Sequence, residues 1–313
     1  MVRFAIRRLI AMVFVIIVIS MITFLLLLGS GNQADRLAGK NATQAEIHQI
    51  EVKYGFNQPI YVQYVKTMGN IFSGQAYSYT QGLNVLTEVK RDFPATLSLA
   101  FGAGIIWLLI SIVIGTLAAV RAGRYTDRIL TVLAMAGVSF PPFFLGAVLL
   151  YFLGYKANLF PLGGYVPLTQ DPWQWVLHLV LPWITLSVLF IGFYSRVLRS
   201  TILDTINEDY VRTAHAKGLS DRQVLGRHIL RNSLIPIISL WGLDMAQVIG
   251  GGAILTETVF NLHGIGQLAA GSITNLDIIP LLVIVIITAS AVVVLAAVVD
   301  IVYALLDPRI RLA

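Results

Sequence analysis

The chain has 313 residues, of which 57% are hydrophobic and 12% charged, with no cysteine, and its mean hydropathy is +0.79. Soluble globular proteins carry about 25% charged residues, so the composition excludes a disordered chain, a disulfide scaffold and an ordinary soluble enzyme, and places most of the chain in lipid. A net charge of +6 and a pI near 9.6 would suggest nucleic acid in a soluble protein; in a membrane protein the informative property is where the positive charges fall between apolar runs.

A spanning helix needs about 20 mostly apolar residues. In chain order the candidates are residues 9–28 and 95–119, both free of charge; 129–155, with Pro141 and Pro142 in its middle; 176–193, with His178 and Pro182; 234–256, with Asp244; and 278–305, with Asp300. Six spans put both termini on one side. That side carries Arg3, Arg7 and Arg8, then Arg121, Arg124 and Arg128, then a basic run from Arg196 to Arg231, then Arg309 and Arg311. Fifteen of the 22 basic residues therefore lie there, and by the positive-inside rule both termini are expected in the cytoplasm. Topology thus accounts for the basic pI without nucleic acid. The first run is longer than the 7–15 apolar residues of a secretory signal and no A-x-A site follows it, so a retained span is expected.

Between the first two runs, residues 29–94 form a long polar segment expected on the outer side. Pro59 is suited to the first turn of a helix, and Ile60, Tyr61, Tyr64, Val65, Met68, Ile71 and Phe72 follow at helical spacing. This amphipathic stripe reads either as a helix lying on the membrane or a partner, or as the inner face of a small subdomain packed on itself. The double proline is expected to kink the third span. The expected organisation is a first span over 1–28, an outer segment over 29–94, and a core of five spans over 95–313.

Residues 195–233, on the cytoplasmic side, are the most informative loop. Val197, Leu198, Ile202 and Ile206 recur at helical spacing, so the fourth span is expected to continue out of the membrane. Residues 209–217 read as a short helix, Gly218 suits a helix end needing positive φ, and Ser220 is placed to cap a further helix that starts with Asp221 and leads into the fifth span. A helix–Gly–helix element of this kind, short and basic, is suited to docking against another protein.

At this loop the sequence resembles the permeases of binding-protein-dependent ABC importers. The nearest branch is the dipeptide/oligopeptide/nickel family, first subunit of the permease pair. Residues 209–219, Asp-Tyr-Val-Arg-Thr-Ala-His-Ala-Lys-Gly-Leu, are similar to that family's form of the Glu-Ala-Ala-x3-Gly loop: Ala214 and Gly218 match, while Arg212 and Thr213 stand where the general pattern has Glu and Ala. The likeness extends over nearly the whole chain, through residues 55–64 (Gly-Phe-Asn-Gln-Pro-Ile-Tyr-Val-Gln-Tyr), 94–97 (Pro-Ala-Thr-Leu), 252–260 (Gly-Ala-Ile-Leu-Thr-Glu-Thr-Val-Phe), 264–266 (Gly-Ile-Gly) and 307–311 (Asp-Pro-Arg-Ile-Arg). The departures lie outside the spans, at residues 28–32 and 74–77.

The resemblance implies an all-α polytopic membrane protein with six transmembrane helices and a coupling helix. Tyr210, Arg212, Thr213, Ala214, Ala216, Lys217 and Gly218 would then contact an ATPase subunit. It further implies a cell (inner) membrane location and these partners: a second permease subunit, two ATP-binding subunits that hold ATP and Mg, and an extracytoplasmic binding protein delivering di- or oligopeptides. Nickel or another small solute is the alternative cargo. The chain lacks the G-x4-G-K-[ST] phosphate cradle and is not expected to be an enzyme.

Asp244 lies about 15 Å into its span at 1.5 Å per residue, and an intramembrane carboxylate is a candidate functional group. It could line the translocation path or bond to a neighbouring helix. Gly250, Gly251 and Gly252 allow close packing or local unwinding for a gate. Asp300 is expected to pair with Arg309 and Arg311, and His178 and His263 are expected to be structural. A proton-coupled secondary transporter would need titratable groups along a path, and Asp244 is the one well placed. A structural or channel-forming membrane protein without coupling is a third option.

Overall fold

The computed structural model describes residues 2–29, 31, 33–39 and 41–306. Among these the secondary structure is helical. Five helices are long and apolar enough to cross a membrane, and a bent pair makes a sixth span if counted as one.

The first apolar run forms α1, Val2–Gly29. Three helices follow in the polar segment: α2 (Gln33–Ala38), α3 (Gln44–Tyr54) and α4 (Ile60–Phe72). Helix α3 starts at a capping box, in which the Thr43 N–H donates to Glu46 Oε2 at 2.8 Å and the Glu46 N–H donates to Thr43 Oγ1. Pro59 sits just before α4 as its N-cap, one residue earlier than expected, and has no N–H to leave unpaired. The α4 stripe packs partly on α1: the Tyr64 ring lies edge-on to Phe24, and its hydroxyl is 2.8 Å from Ser20 Oγ.

Helix α5 covers Val85–Val120, capped by Asn84 Oδ1, which accepts from the N–H groups of Leu86 and Thr87. The expected segment boundary at 94–95 therefore falls inside a continuous helix, with Pro94 in its body. The third span is not one kinked helix. It is α6 (Tyr125–Ser139) and α7 (Pro142–Leu149), the latter running on as a π turn to Lys156, bent against each other by 95° at the double proline. Pro141 and Pro142 donate no N–H to the preceding turn, and the residue before each proline is driven out of the helical region; Phe140 is extended, with φ −89° and ψ 123°.

Helix α8 spans Pro172–Ile206, so the fourth run is far longer than its 18-residue apolar core and does continue outward as expected. Asp171 caps it through the N–H groups of Trp173 and Gln174. Then come α9 (Asp209–Ala216), α10 (Asp221–Val224) and α11 (Leu230–Gln247), with a π turn before and after α11, and α12 (Ile254–Val259), α13 (Ile265–Asn275) and α14 (Ile278–Leu306). Sequence reading did not foresee α12 and α13 as separate helices. The expected Asp300 pair lies outside the described side chains.

One core joins α5, α8 and α11 around Trp107, Leu179, Leu198, Ile237 and Met245. A second joins α1, α4 and the start of α5 to α13 and α14. Lipid tails are as apolar as these side chains, so association rests on close packing and interhelical hydrogen bonds. Trp183 Nε1–H donates to Ser98 O at 2.9 Å, Ser187 Oγ–H to Ala103 O at 3.1 Å and Trp241 Nε1–H to Gly104 O at 2.9 Å, each worth about 0.6 kcal/mol by analogy with other membrane helices.

Candidate functional site

Three places hold the candidate residues. At the end of the molecule that carries the basic loop, α9 is a two-turn helix with one side sealed. Val211 and Ala214, three residues apart, are buried in the core that also holds Ile202, Val224 and Ile229. The exposed side shows Tyr210, Arg212, Thr213, Ala216, Lys217 and Gly218. Ala214 was expected to face a partner; it faces the chain's own core, as its i+3 relation to Val211 requires. Tyr210 OH accepts from Asn232 Nδ2–H at 2.7 Å, tying α9 to α11.

Gly218 ends the helix with φ +79° and nothing within 4 Å of where a Cβ would stand. Glycine is needed here for its backbone and not for space. Ser220 and Gln223 then form a capping box for the next helix. Rigidity comes from the same end of the bundle: Arg199 Nε and Nη2 each donate at 2.7 Å to the two carboxylate oxygens of Asp127, and the Gly123 N–H adds a third donor at 2.9 Å. This bidentate pair clamps the α5–α6 turn onto α8, just before α9.

Within the bundle, Asp244 on α11 accepts a 2.5 Å hydrogen bond from Tyr194 OH on α8. Tyr194 is fully buried and lies among Phe190, Phe193 and Trp107. Asp244 as a whole residue is half-buried. Of the two roles weighed for it, the bond to a neighbouring helix is present.

Farther along the same helix, Val248–Gly252 is a π turn in which Gly251 adopts φ 133°, a value outside the helical region. The unwinding that the three glycines permit is therefore realised at Gly251. Beyond it stands a residue that sequence reading passed over. Glu257 on α12 is completely buried. Its Oε1 accepts from Thr96 Oγ1–H at 2.6 Å, and its Oε2 from the Gln267 N–H at 2.9 Å. Thr96 Oγ1 in turn accepts from the Ile265 N–H at 3.0 Å. One carboxylate thus holds α5, α12 and the open N–H groups at the start of α13 together. Burial raises its pKa above the ordinary glutamate value, against the lowering effect of the hydrogen bonds from Thr96 and the α13 backbone. The group borders a mostly apolar cavity of about 190 Å³ that reaches Gly250 and Gly251. The signal for it was Glu257 itself, an acid in an apolar stretch beside Gly264 and Gly266.

At the same end, Asp277 accepts from Ser78 Oγ–H at 2.6 Å, Thr80 Oγ1–H at 2.8 Å and the Thr80 N–H at 3.1 Å, fixing the 76–84 loop to the start of α14. Burial, then the nearby Asp277 charge, pushes the Tyr79 hydroxyl up to about 12. His178 Nδ1 is 2.8 Å from Gln174 O within its own helix, whereas at exposed His263 it is the backbone N–H that donates to Gln267 Oε1.

Among solved structures, the fold is similar to two inward-facing crystal forms of the MetNI methionine ABC transporter. One aligns with a TM-score of 0.52 at 16% identity over 72% of this chain and 98% of that one. The other has a TM-score of 0.56 at 17% identity over 70% and 96%. Sequence relatives cover nearly the full length. A probable peptide ABC transporter permease, y4tP, of Sinorhizobium fredii is 36% identical over 98% of this chain and 99% of its own. A probable D,D-dipeptide transport system permease, DdpB, of Escherichia coli is 35% identical over 96% and 94%. An oligopeptide transport system permease, AppB, of Bacillus subtilis is 33% identical over 99% and 100%. Residues 1–100 match the N-terminal family of binding-protein-dependent transport system membrane components. Residues 108–312 match the binding-protein-dependent transport system inner membrane component family, and the chain belongs to that family of ABC importer permeases.

Proposed function

We propose that this chain is one of two permease subunits of an ATP-driven importer and that its cargo is peptides. An extracytoplasmic binding protein delivers them, and separate subunits bind and hydrolyse ATP with Mg. The observation that carries this reading is α9: a short helix with an apolar inner side fixed to α8 and α11 and a polar outer side left open, at the basic end of the bundle. A push on α9 is passed to two long spans as a rigid-body tilt. The basic loop, by the positive-inside rule, supports a cytoplasmic side for that end and for both termini, with the complex in the inner membrane.

Along the path, Asp244 meets the ammonium end of a passing peptide while Tyr194 holds its other side, and the break at Gly251 supplies the bend that opening needs. Peptide cargo is further supported by the peptide names of the relatives. The deciding experiment is uptake into proteoliposomes that contain this chain with its companion permease, ATPase subunits and binding protein, across a panel of di- to hexapeptides and nickel. ATP-dependent uptake of peptides supports the reading. Uptake of nickel alone, or peptide uptake that follows a proton gradient without ATP, refutes it.

A further inference from the structure

Helix α4 has three sides at 100° per residue. Lys66, Gln63 and Asn70 share the polar one. Thr67 and Ile71 are buried on the second, where Tyr64 reaches α1. The third carries Tyr61, Val65 and Phe72 within an arc of about 40°, exposed to 71%, 66% and 72%. Half of the amphipathic stripe is thus covered by the chain itself and half is not.

The level of α4 follows from what it touches. The apolar part of α1, Leu9–Gly29, has 21 residues, about 31 Å of helix, and so spans a hydrocarbon core of about 30 Å with little to spare. Arg7 marks the end toward the basic loop, and Gly29 marks the other. Counting back from Gly29 at 1.5 Å per residue, Phe24 lies about 7 Å and Ser20 about 13 Å inside. Tyr64 packs its ring on Phe24 and its hydroxyl on Ser20. A small cavity is shared by Phe24 and Leu28 of α1 and by Gln63, Lys66 and Thr67 of α4. The body of α4 around Tyr64 therefore lies roughly 5 Å inside the plane where the apolar run of α1 ends. That is the depth of an interfacial amphipathic helix.

We propose that α4 is such a helix and that Tyr61, Val65 and Phe72 are buried in lipid, at the boundary between headgroups and acyl chains. The occupant of the uncovered face is lipid because α4 sits at this depth against a span, α1, that itself leaves Phe14, Met21, Leu25 and Leu26 exposed. On the polar side Gln63 turns to the chain's own 56–58 turn, donating to Phe56 O and Gln58 O, while Lys66 and Asn70 are exposed, toward headgroups and water. The segment between the first two spans is then anchored on the bilayer surface at a second place besides α1. This holds whatever cargo the complex carries.

The chain has no cysteine, so single nitroxide labels can be placed cleanly at Tyr61→Cys, Val65→Cys, Phe72→Cys and, on the polar side, Lys66→Cys, in the full-length chain assembled with its partners in phosphatidylcholine/phosphatidylglycerol vesicles. Power saturation with oxygen, which concentrates in lipid, and a water-soluble nickel chelate reads the surroundings of each label. The expected result is a ratio of oxygen to nickel accessibility severalfold higher at residues 61, 65 and 72 than at 66. High nickel accessibility along the stripe, equal to that at 66, would mean an aqueous face. Low accessibility to both reagents would mean a protein cover. Either result overturns the proposal.

Discussion

Thr96 and Glu257 stand 161 residues apart in sequence and share a 2.6 Å hydrogen bond in the fold. Their contact gives the start of α13 its acceptors, since the Ile265 N–H bonds to Thr96 and the Gln267 N–H to Glu257. Glu257→Ala leaves the Gln267 N–H and the Thr96 hydroxyl without acceptors, a cost of about 1–3 kcal/mol each. The expected outcome is a complex that assembles in reduced yield and melts earlier. Glu257→Gln keeps the size and one acceptor and should lie between the two. Because burial raises the carboxyl pKa, the folded state binds its proton more tightly than the unfolded state does. Its contribution is therefore full below the ordinary glutamate value of about 4.3 and is lost as pH rises through the raised value. Thermal stability of the wild type should fall over that interval more steeply than that of Glu257→Gln; parallel profiles would count against it.

At Gly218 the backbone angle decides the outcome, since a side chain there meets open space. A β-branched residue in the left-handed region costs about 1–2 kcal/mol, whereas Asn visits it more readily. Gly218→Val should reach the membrane at normal abundance but shift α9 on its partner, so that ATP hydrolysed per peptide imported rises. Gly218→Asn should import nearly as well as the wild type. Normal coupling in Gly218→Val would remove α9 from the coupling path.

Local signals made part of this legible in advance. Gly218 and Ser220 mark a helix end and a helix start by their own chemistry, and both appear as expected. The uncharged runs mark α1 and α5 because lipid tolerates little else. The α3 capping box, Thr43 with Glu46, is also local and was there to be read. The angle at Pro141–Pro142 was not: proline dictates a break, while the 95° bend depends on what α7 packs against. Glu257 was hidden for a different reason. Its meaning comes from Thr96 and Gln267, which only the fold brings near. The inward turn of Ala214 followed from its spacing to Val211, and the family pattern drew attention away from that periodicity.

The Asp127–Arg199 clamp is a bidentate pair whose carboxylate is buried and whose guanidinium is partly open. Removing one partner of a fully buried pair costs about 3–5 kcal/mol, and the exposure of Arg199 puts the expected loss for Arg199→Ala at or below the lower end of that range. Arg199→Lys loses the two-point geometry and should recover only part of it. The double variant Asp127→Ala with Arg199→Ala leaves no unpaired charge and should be more stable than Arg199→Ala alone. A thermal melt of the detergent-solubilised complex ranks the four proteins; a double variant weaker than Arg199→Ala would mean that the charge left behind is not the main cost.

Asp244 gives the prediction that bears most directly on cargo. Its carboxylate is held on one oxygen by Tyr194, which fixes its position. On the proposed path a carboxylate here would attract a peptide's ammonium end within a low-dielectric passage, where the interaction is stronger than in water. Asp244→Asn keeps the shape and a hydrogen-bond acceptor for Tyr194 but removes the charge. Uptake of peptides with a free amino terminus should drop severalfold, while uptake of the same peptides with an acetylated terminus should change little. Tyr194→Phe removes the hydroxyl but leaves the carboxylate, so it should weaken uptake of the free-amino form, by less than Asp244→Asn does, through a less well placed carboxylate, and should change the acetylated form little. If Asp244→Asn lowers both forms equally, the carboxylate serves helix packing, and if it lowers neither, the path runs elsewhere.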